Sequence, residues 1–174
     1  MTKQLRLYLH DIDTRLCIRV NKTSHVRLVR LFFRLISRLG NGIFWYATII
    51  GVVVANGNEG VPASLHMIIG GLLGLTIYRW LKRKTLRPRP YQIHQDVWLS
   101  GHALDQFSFP SGHTLQAVLM SMIAIAYYPV LALPLMTFTS LVAISRIVLG
   151  LHYPSDVIAG ALLGYSIAQV ILHM

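Results

Sequence analysis

The segment SRIVLGLHYPSD (145–156) places an arginine, a histidine and an aspartate in an otherwise apolar stretch. Arg146 is the only Lys or Arg in the 85 residues that follow Arg89, and Asp156 is the only acidic residue in the last 69. Pro154 and Ser155 mark a helix start, with Ser155 as the expected cap and Asp156 in the first turn. His152 lies just before, so the Asp156 carboxylate can face one imidazole nitrogen and leave the other free. An imidazole oriented in this way suits a nucleophile or a base. A charge such as Arg146 costs up to about 2.5–3.5 kcal/mol at the centre of a membrane span, and ionisable groups there are functional by default. The plainer alternative is a structural Arg–Asp pair.

Two further segments carry matching chemistry. In KRKTLRPRP (82–90), Lys82 leaves a helix end, and Arg89 follows between Pro88 and Pro90, which stop the helix and hold the backbone extended. Arg83, Lys84 and Arg87 read as interface cations whose stems lie along the membrane surface. In FPSGHTLQAV (109–118), Ser111 is a good N-cap, and Gly112 and His113 fall in the first helical turn. Free N–H groups and the positive end of the dipole favour an anion there, and Gly112 lets it approach the backbone. Lys82, Arg89, Arg146 and the helix-end amides together make a receptor for a multiply charged tetrahedral anion. With two histidines beside it, the set has the parts that phosphoryl transfer requires. Apart from Asp156, the carboxylates are Asp11, Asp13, Glu59, Asp96 and Asp105, with no pair at ligand spacing, so neither a metal nor another cofactor is expected. His94, His102 and Asp105 are only weakly suggestive of zinc, and a role in the loop is expected for them.

These residues need elements to position them. The 174 residues are 54% hydrophobic and 13% charged, and the mean hydropathy is +0.54. That is about half the charged fraction usual in a soluble domain, and the apolar residues come in long blocks. The expected fold is all-α: a polytopic membrane helix bundle with about five spans, at 42–55, 61–81, 113–128, 130–150 and 155–173. The first is short and could gain a turn from the helix before it. The loop at 82–110 lies on one membrane face, and a passage out and back along the third and fourth spans returns the chain to that face. The end of span two, the start of span three and the corner between spans four and five therefore converge at one surface.

Net charge is +10, and nine of the sixteen basic residues lie within 1–38. Arg27, Arg30, Arg34 and Arg38 recur at helical spacing among apolar residues, which describes an amphipathic helix on an anionic bilayer better than a nucleic-acid binder. The expected organisation is a basic amphipathic arm at 1–40 and a transmembrane domain at 41–174. Cys17 is the single cysteine, so it forms no disulfide within the chain and reads as a small apolar filler.

The three motifs, K-x6-R-P, P-S-G-H and S-R-x5-H-x3-D, resemble those of the type 2 phosphatidic acid phosphatase superfamily, in order and at span ends, within roughly residues 40–170. The resemblance implies that Lys82, Arg89 and Arg146 hold phosphate with help from Ser111 and the Gly112 amide. It implies that His152 attacks phosphorus to form a phosphohistidine, that Asp156 orients it, and that His113 protonates the leaving oxygen. It further implies a metal-independent phosphatase acting on a lipid phosphate or diphosphate, such as undecaprenyl diphosphate or phosphatidylglycerophosphate. The residues alone do not say which histidine attacks.

The family habit places such a site at the periplasmic face of, here, a bacterial inner membrane. Five spans put the basic N-terminus on the same side, where a count of Lys and Arg would read cytoplasmic; the family habit is preferred because the loop cations have a substrate to bind. The rival readings are a lipid phosphotransferase of the same family, a non-catalytic protein that binds anionic lipid, and a transporter. A transporter would carry polar breaks near the midplane, whereas here they lie at span ends.

Overall fold

The computed structural model describes residues 3–174, the side chains of Lys3, Leu5, Arg6, Leu7 and Leu9 excepted. Among the described residues eight α-helices follow one another: α1 (Lys3–Asn21), α2 (Arg27–Leu39), α3 (Ile43–Asn56), α4 (Val61–Thr85), the single-turn α5 (Pro90–Ile93), α6 (Gly112–Tyr127), α7 (Ala132–Val148) and α8 (Pro154–Leu172). Among the described residues no strand forms, and only an isolated bridge links Pro88 to Phe107.

Three helical stretches are long and apolar enough to cross a membrane: Ile43–Thr85, Pro129–Val148 and Pro154–Leu172; α6 is a shorter apolar helix. The first stretch is a hairpin. Its helices turn back through Gly57–Gly60, and the Ser64 hydroxyl of α4 donates to the Ile49 carbonyl of α3 at 3.0 Å. The expected all-α membrane bundle is therefore present, with five helices where five spans were expected. Large apolar side chains such as Val54, Val130 and Leu133 point outward from it, as they would toward lipid.

The helix before the first span stays separate from it, α2 ending at Leu39 and α3 beginning at Ile43. Gly40 packs against Val142 midway along α7, and the chain then turns through Gly42, at φ 109°, into α3. The end of α2 thus dips beside α7, while Leu28, Leu31, Phe32 and Leu35 stay exposed on its outer side.

The short helix α6 occupies the centre. Leu115, Leu119 and Ile123 are buried against Met67 of α4, Val142 of α7, and Ile167 and Ile171 of α8. Hydrocarbon surroundings give helices little hydrophobic reason to associate, so close backbone approach carries the packing. Gly160 and Gly164, one turn apart on α8, provide it. A Cβ at Gly160 would stand 2.5 Å from the Ser111 carbonyl oxygen, and one at Gly164 would strike that of Leu115. This G-x-x-x-G seam fixes the last helix against the start of α6, where the second motif begins.

Candidate active site

Backbone hydrogen bonds join the three motifs directly. Ser108 N donates to the Arg87 carbonyl at 2.8 Å, tying the second segment to the first, and Ser111 N donates to the Asp156 carbonyl at 3.0 Å, tying it to the third. Arg89 Nη1 donates to the Leu151 carbonyl at 2.8 Å, linking first to third. The convergence expected at one membrane face is realised, and the Arg–His–Asp set at 146–156 is part of it.

Lys82, Arg89 and Arg146 are all buried, with 5%, 1% and 1% of their surfaces exposed. Such burial is tolerable only with partners. For Lys82 and Arg89 the partner is Asp105. Its Oδ1 accepts from Lys82 Nζ at 2.5 Å, Arg89 Nη2 at 2.9 Å and Phe107 N at 3.1 Å, and its Oδ2 accepts from the Tyr78 hydroxyl at 2.5 Å. Burial works to raise the Asp105 carboxyl, but the bonds from Lys82 and Tyr78 and the nearby cations overrule it, holding the group at about 2. Asp105 does not join His94 and His102, and among the described residues no group of three His, Cys, Asp or Glu could hold a metal. Arg146 donates to the Ser37 hydroxyl of α2, and its buried Nε has no partner.

His152 is buried in the corner between α7 and α8. Its Nε2 lies 3.4 Å from Arg89 Nη1, on the cation side, and its Nδ1 lies 3.7 Å from Asp156 Oδ2. An imidazole that accepts from an arginine at Nε2 carries its proton on Nδ1, facing the carboxylate. The orientation is the expected one, but 3.7 Å is beyond a hydrogen bond, and Nδ1 has no partner. Burial, then the charges of Arg146, Arg89 and Lys82, hold His152 well below the usual imidazole value, so the ring is neutral.

The Asp156 carboxylate is drawn elsewhere. Its Oδ2 accepts from Tyr153 N at 2.9 Å, and its Oδ1 accepts from Arg87 Nη1 at 2.7 Å. Arg87 is therefore no surface cation; it also bonds the Ser155 hydroxyl at 2.8 Å and Asp13 of α1 at 2.8 Å, and stacks 4.2 Å over the Tyr153 ring. Arg83 and Lys84 do stay exposed. The cap of α8 is Tyr153, two residues before the expected Ser155, because Asp156 satisfies the Tyr153 amide and the Ser155 hydroxyl bonds Asp13 instead.

At the start of α6, Ser111 occupies the cap position but its hydroxyl pairs with Thr114 at 2.9 Å and does not cap. Gly112 is hemmed in by Tyr78, whose ring would lie 2.5 Å from an added Cβ. Gly112 and His113 line an apolar groove of about 520 Å³ between α3, α4 and α6, together with Trp45, Leu72, Leu104 and Leu115. His113 is half-buried and shares the electrostatic surroundings of Arg146, His152, Arg89 and Lys82. His113 thus belongs both to the lining of an apolar groove and to the surroundings of three buried cations and His152.

The sequence pattern of the PAP2 superfamily matches residues 61–174. The chain belongs to the PAP2 superfamily. It is similar to the undecaprenyl-diphosphatase BcrC of Bacillus subtilis, 35% identical over 65% of this chain and 58% of that protein. It also resembles the decaprenylphosphoryl-5-phosphoribose phosphatase of Mycobacterium tuberculosis, 35% identical over 59% of this chain and 55% of that one. The matches therefore span little more than half the length of these relatives. Among solved structures, Aquifex aeolicus LpxE superposes with a TM-score of 0.74 at 25% identity, covering 92% of this chain and 94% of that one. A transmembrane PAP2 type phosphatidylglycerolphosphate phosphatase from Bacillus subtilis superposes at 0.72 and 22% identity, covering 95% and 85%, and shares the fold.

Three residues escaped the motif reading: Asp105, Arg87 and Ser37. Ser37 carried no signal, since one serine in an amphipathic helix is unremarkable. Arg87 stands two before Arg89 in the RPRP run, and an extended backbone puts residues two apart on one face; that spacing could have turned it toward the site along with Arg89. Asp105 is the only acidic residue between Asp96 and Asp156, a signal of the same kind as the isolated Arg146.

Proposed function

We propose that this PAP2 protein is a membrane-embedded, metal-independent phosphatase of lipid phosphates or diphosphates that works through a phosphohistidine on His152. The observation that carries the proposal is the apolar groove lined by Gly112 and His113, the latter within the field of buried Lys82, Arg89 and Arg146. A lipid tail fits the groove, and its phosphate then lies among the cations, with the Gly112 amide and Ser111 at the helix start assisting.

Neutral His152 attacks phosphorus through Nε2 as the bond to the leaving oxygen breaks, and His113, protonated when the anionic substrate binds beside it, gives that oxygen its proton and is left neutral. The phosphorylated ring keeps its proton on Nδ1 and gains positive charge, which the nearby Asp156 carboxylate stabilises. Water then attacks phosphorus, His113 takes its proton, the P–N bond breaks and phosphate leaves. The charge that develops on the equatorial oxygens meets cations already in place, which is where most of the rate enhancement arises.

The relatives' names support an undecaprenyl diphosphate or a phospholipid such as phosphatidylglycerophosphate as substrate; the periplasmic face of a bacterial inner membrane is proposed for the site from the family habit alone. The deciding experiment compares phosphate release by purified wild-type protein and His152→Ala across these lipids, with a chelator present. Wild-type release that the substitution abolishes in folded protein supports the proposal. Undiminished release from His152→Ala removes the nucleophile, and transfer to a second lipid identifies a phosphotransferase. No turnover with intact binding leaves an anionic-lipid binder. Labelling of Thr2→Cys in a Cys17→Ser background by an impermeant thiol reagent, in intact cells, tests the side of the membrane.

A further inference from the structure

The Asp105 carboxylate rests on two of the three cations that the phosphatase reading assigns to the phosphoryl group. It touches Lys82 and Arg89 through one oxygen and Tyr78 through the other, and its own carbonyl accepts from Arg89 Nε at 3.0 Å. Lys82 donates as well to the Phe107 carbonyl at 2.6 Å, leaving one of its three ammonium donors. An arriving anion must take these donors from Asp105 or share them.

The charges indicate which anions can. Three cations and one carboxylate leave the pocket at +2 (3 − 1), and the negative charge at Asp105 persists through the physiological range. A terminal phosphate carries about −1.5 to −2 near neutrality and offers three oxygens. A phosphodiester headgroup carries a single negative charge on two free oxygens. The surrounding bilayer is built of phosphodiesters at far higher concentration than any terminal lipid phosphate, and three unscreened cations would attract all of them. The residue before Asp105, Leu104, lines the tail groove, so one loop spans both halves of the site.

We propose that Asp105 is a specificity-determining residue, a resident carboxylate on Lys82 and Arg89 that a terminal lipid phosphate displaces and a monoanionic phosphodiester headgroup does not. This rests on the phosphatase reading of the same site. It assigns the discrimination to competition within the pocket and leaves the tail groove free to accept many lipids.

The test is inhibition by phosphatidylglycerol, a monoanionic diester, of the hydrolysis of a lipid phosphomonoester in mixed micelles. Wild-type protein is compared with Asp105→Asn and with Tyr78→Phe, which removes one hydrogen bond from Asp105 and leaves the cations in place. Loss of a charged competitor is expected to tighten phosphatidylglycerol inhibition about tenfold in Asp105→Asn, with KM for the monoester falling as well, and to a smaller degree in Tyr78→Phe. Equal inhibition of all three proteins overturns the proposal, as does a fall in kcat with unchanged inhibition, which would make Asp105 a positioning residue for the cations. Thermal stabilisation by phosphatidylglycerol and by phosphatidate reads the same preference without turnover. A wild-type protein that hydrolyses nothing yet is stabilised by phosphatidate alone, a preference lost in Asp105→Asn, would sink the phosphatase reading and keep the filter.

Discussion

Arg87 holds Asp156, which lies beside the histidine at the centre of the site, and its removal has a magnitude that can be worked out. Asp156 is fully buried and Arg87 bonds it at 2.7 Å, with about a quarter of the arginine side chain left in solvent. Truncating one partner of a buried ion pair costs about 3–5 kcal/mol, because the other charge stays behind unpaired. The partial exposure of Arg87 and the Tyr153 amide retained by Asp156 argue for the lower end, about 3 kcal/mol. For a chain of this size each kcal/mol lowers Tm by about 2–4 °C, so Arg87→Ala is expected to melt about 6–12 °C below wild type. A second consequence is chemical. The neutral state of His152, held by burial and by the cations, places the acid limb of wild-type kcat/KM below the usual imidazole value of 6.5. In Arg87→Ala the Asp156 charge 3.7 Å from Nδ1 is no longer shared with a guanidinium. It then favours the imidazolium, and the acid limb moves to higher pH. Thermal melts by circular dichroism in detergent and a pH profile of phosphate release measure the two effects. Asp13→Asn should cost less and combine less than additively with Arg87→Ala, since both act through one cluster. An unchanged Tm together with an unmoved acid limb would refute the role given to Arg87.

Gly160→Ala puts a methyl group 2.5 Å from the Ser111 carbonyl oxygen, a backbone atom with nowhere to go. Separation of α8 from α6 should then lower Tm and, by moving the start of α6 away from His152, reduce phosphate release more than the lost stability explains; Gly51→Ala, where an added Cβ meets nothing, is the control. Asp105, held at about 2 against an ordinary 3.8, contributes stability that is complete above pH 4 and lost as pH falls toward 2. Acid titration of wild type should show that loss, and Asp105→Asn should flatten the curve within this window.

The bundle and the three motifs were legible because their signals are local. Long apolar blocks punctuated by NGNEG and by the prolines at 129 and 154 give four of the five helices to within a residue or two; the second runs four residues past its expected end, to Thr85. The order of the spans alone then brings Lys82, His113 and His152 to one face. What stayed hidden depends on tertiary contact across long separations. Ser37 meets Arg146 over 109 positions and Asp13 meets Ser155 over 142, and no periodicity marks either residue. The competition for Asp156 was hidden for the same reason: sequence spacing offered His152 as its partner, while Arg87, 69 positions away, holds the shorter bond. The Gly160–Gly164 pair was in plain view and is the one feature a closer reading of small residues would have found.

The arm also bears on where this molecule begins as a physical object. The family pattern starts at residue 61, yet Asp13 anchors Arg87, Asn21 bonds the Trp98 and Val148 carbonyls at 3.0 and 2.9 Å, and Ser37 receives Arg146. A protein cut back to the recognised pattern would keep every motif residue and lose the partners of half-buried Arg87 and buried Arg146. The evolutionary unit and the mechanical unit therefore have different borders, and transplanting the motifs without the first forty residues should carry over the reagents but not the vessel.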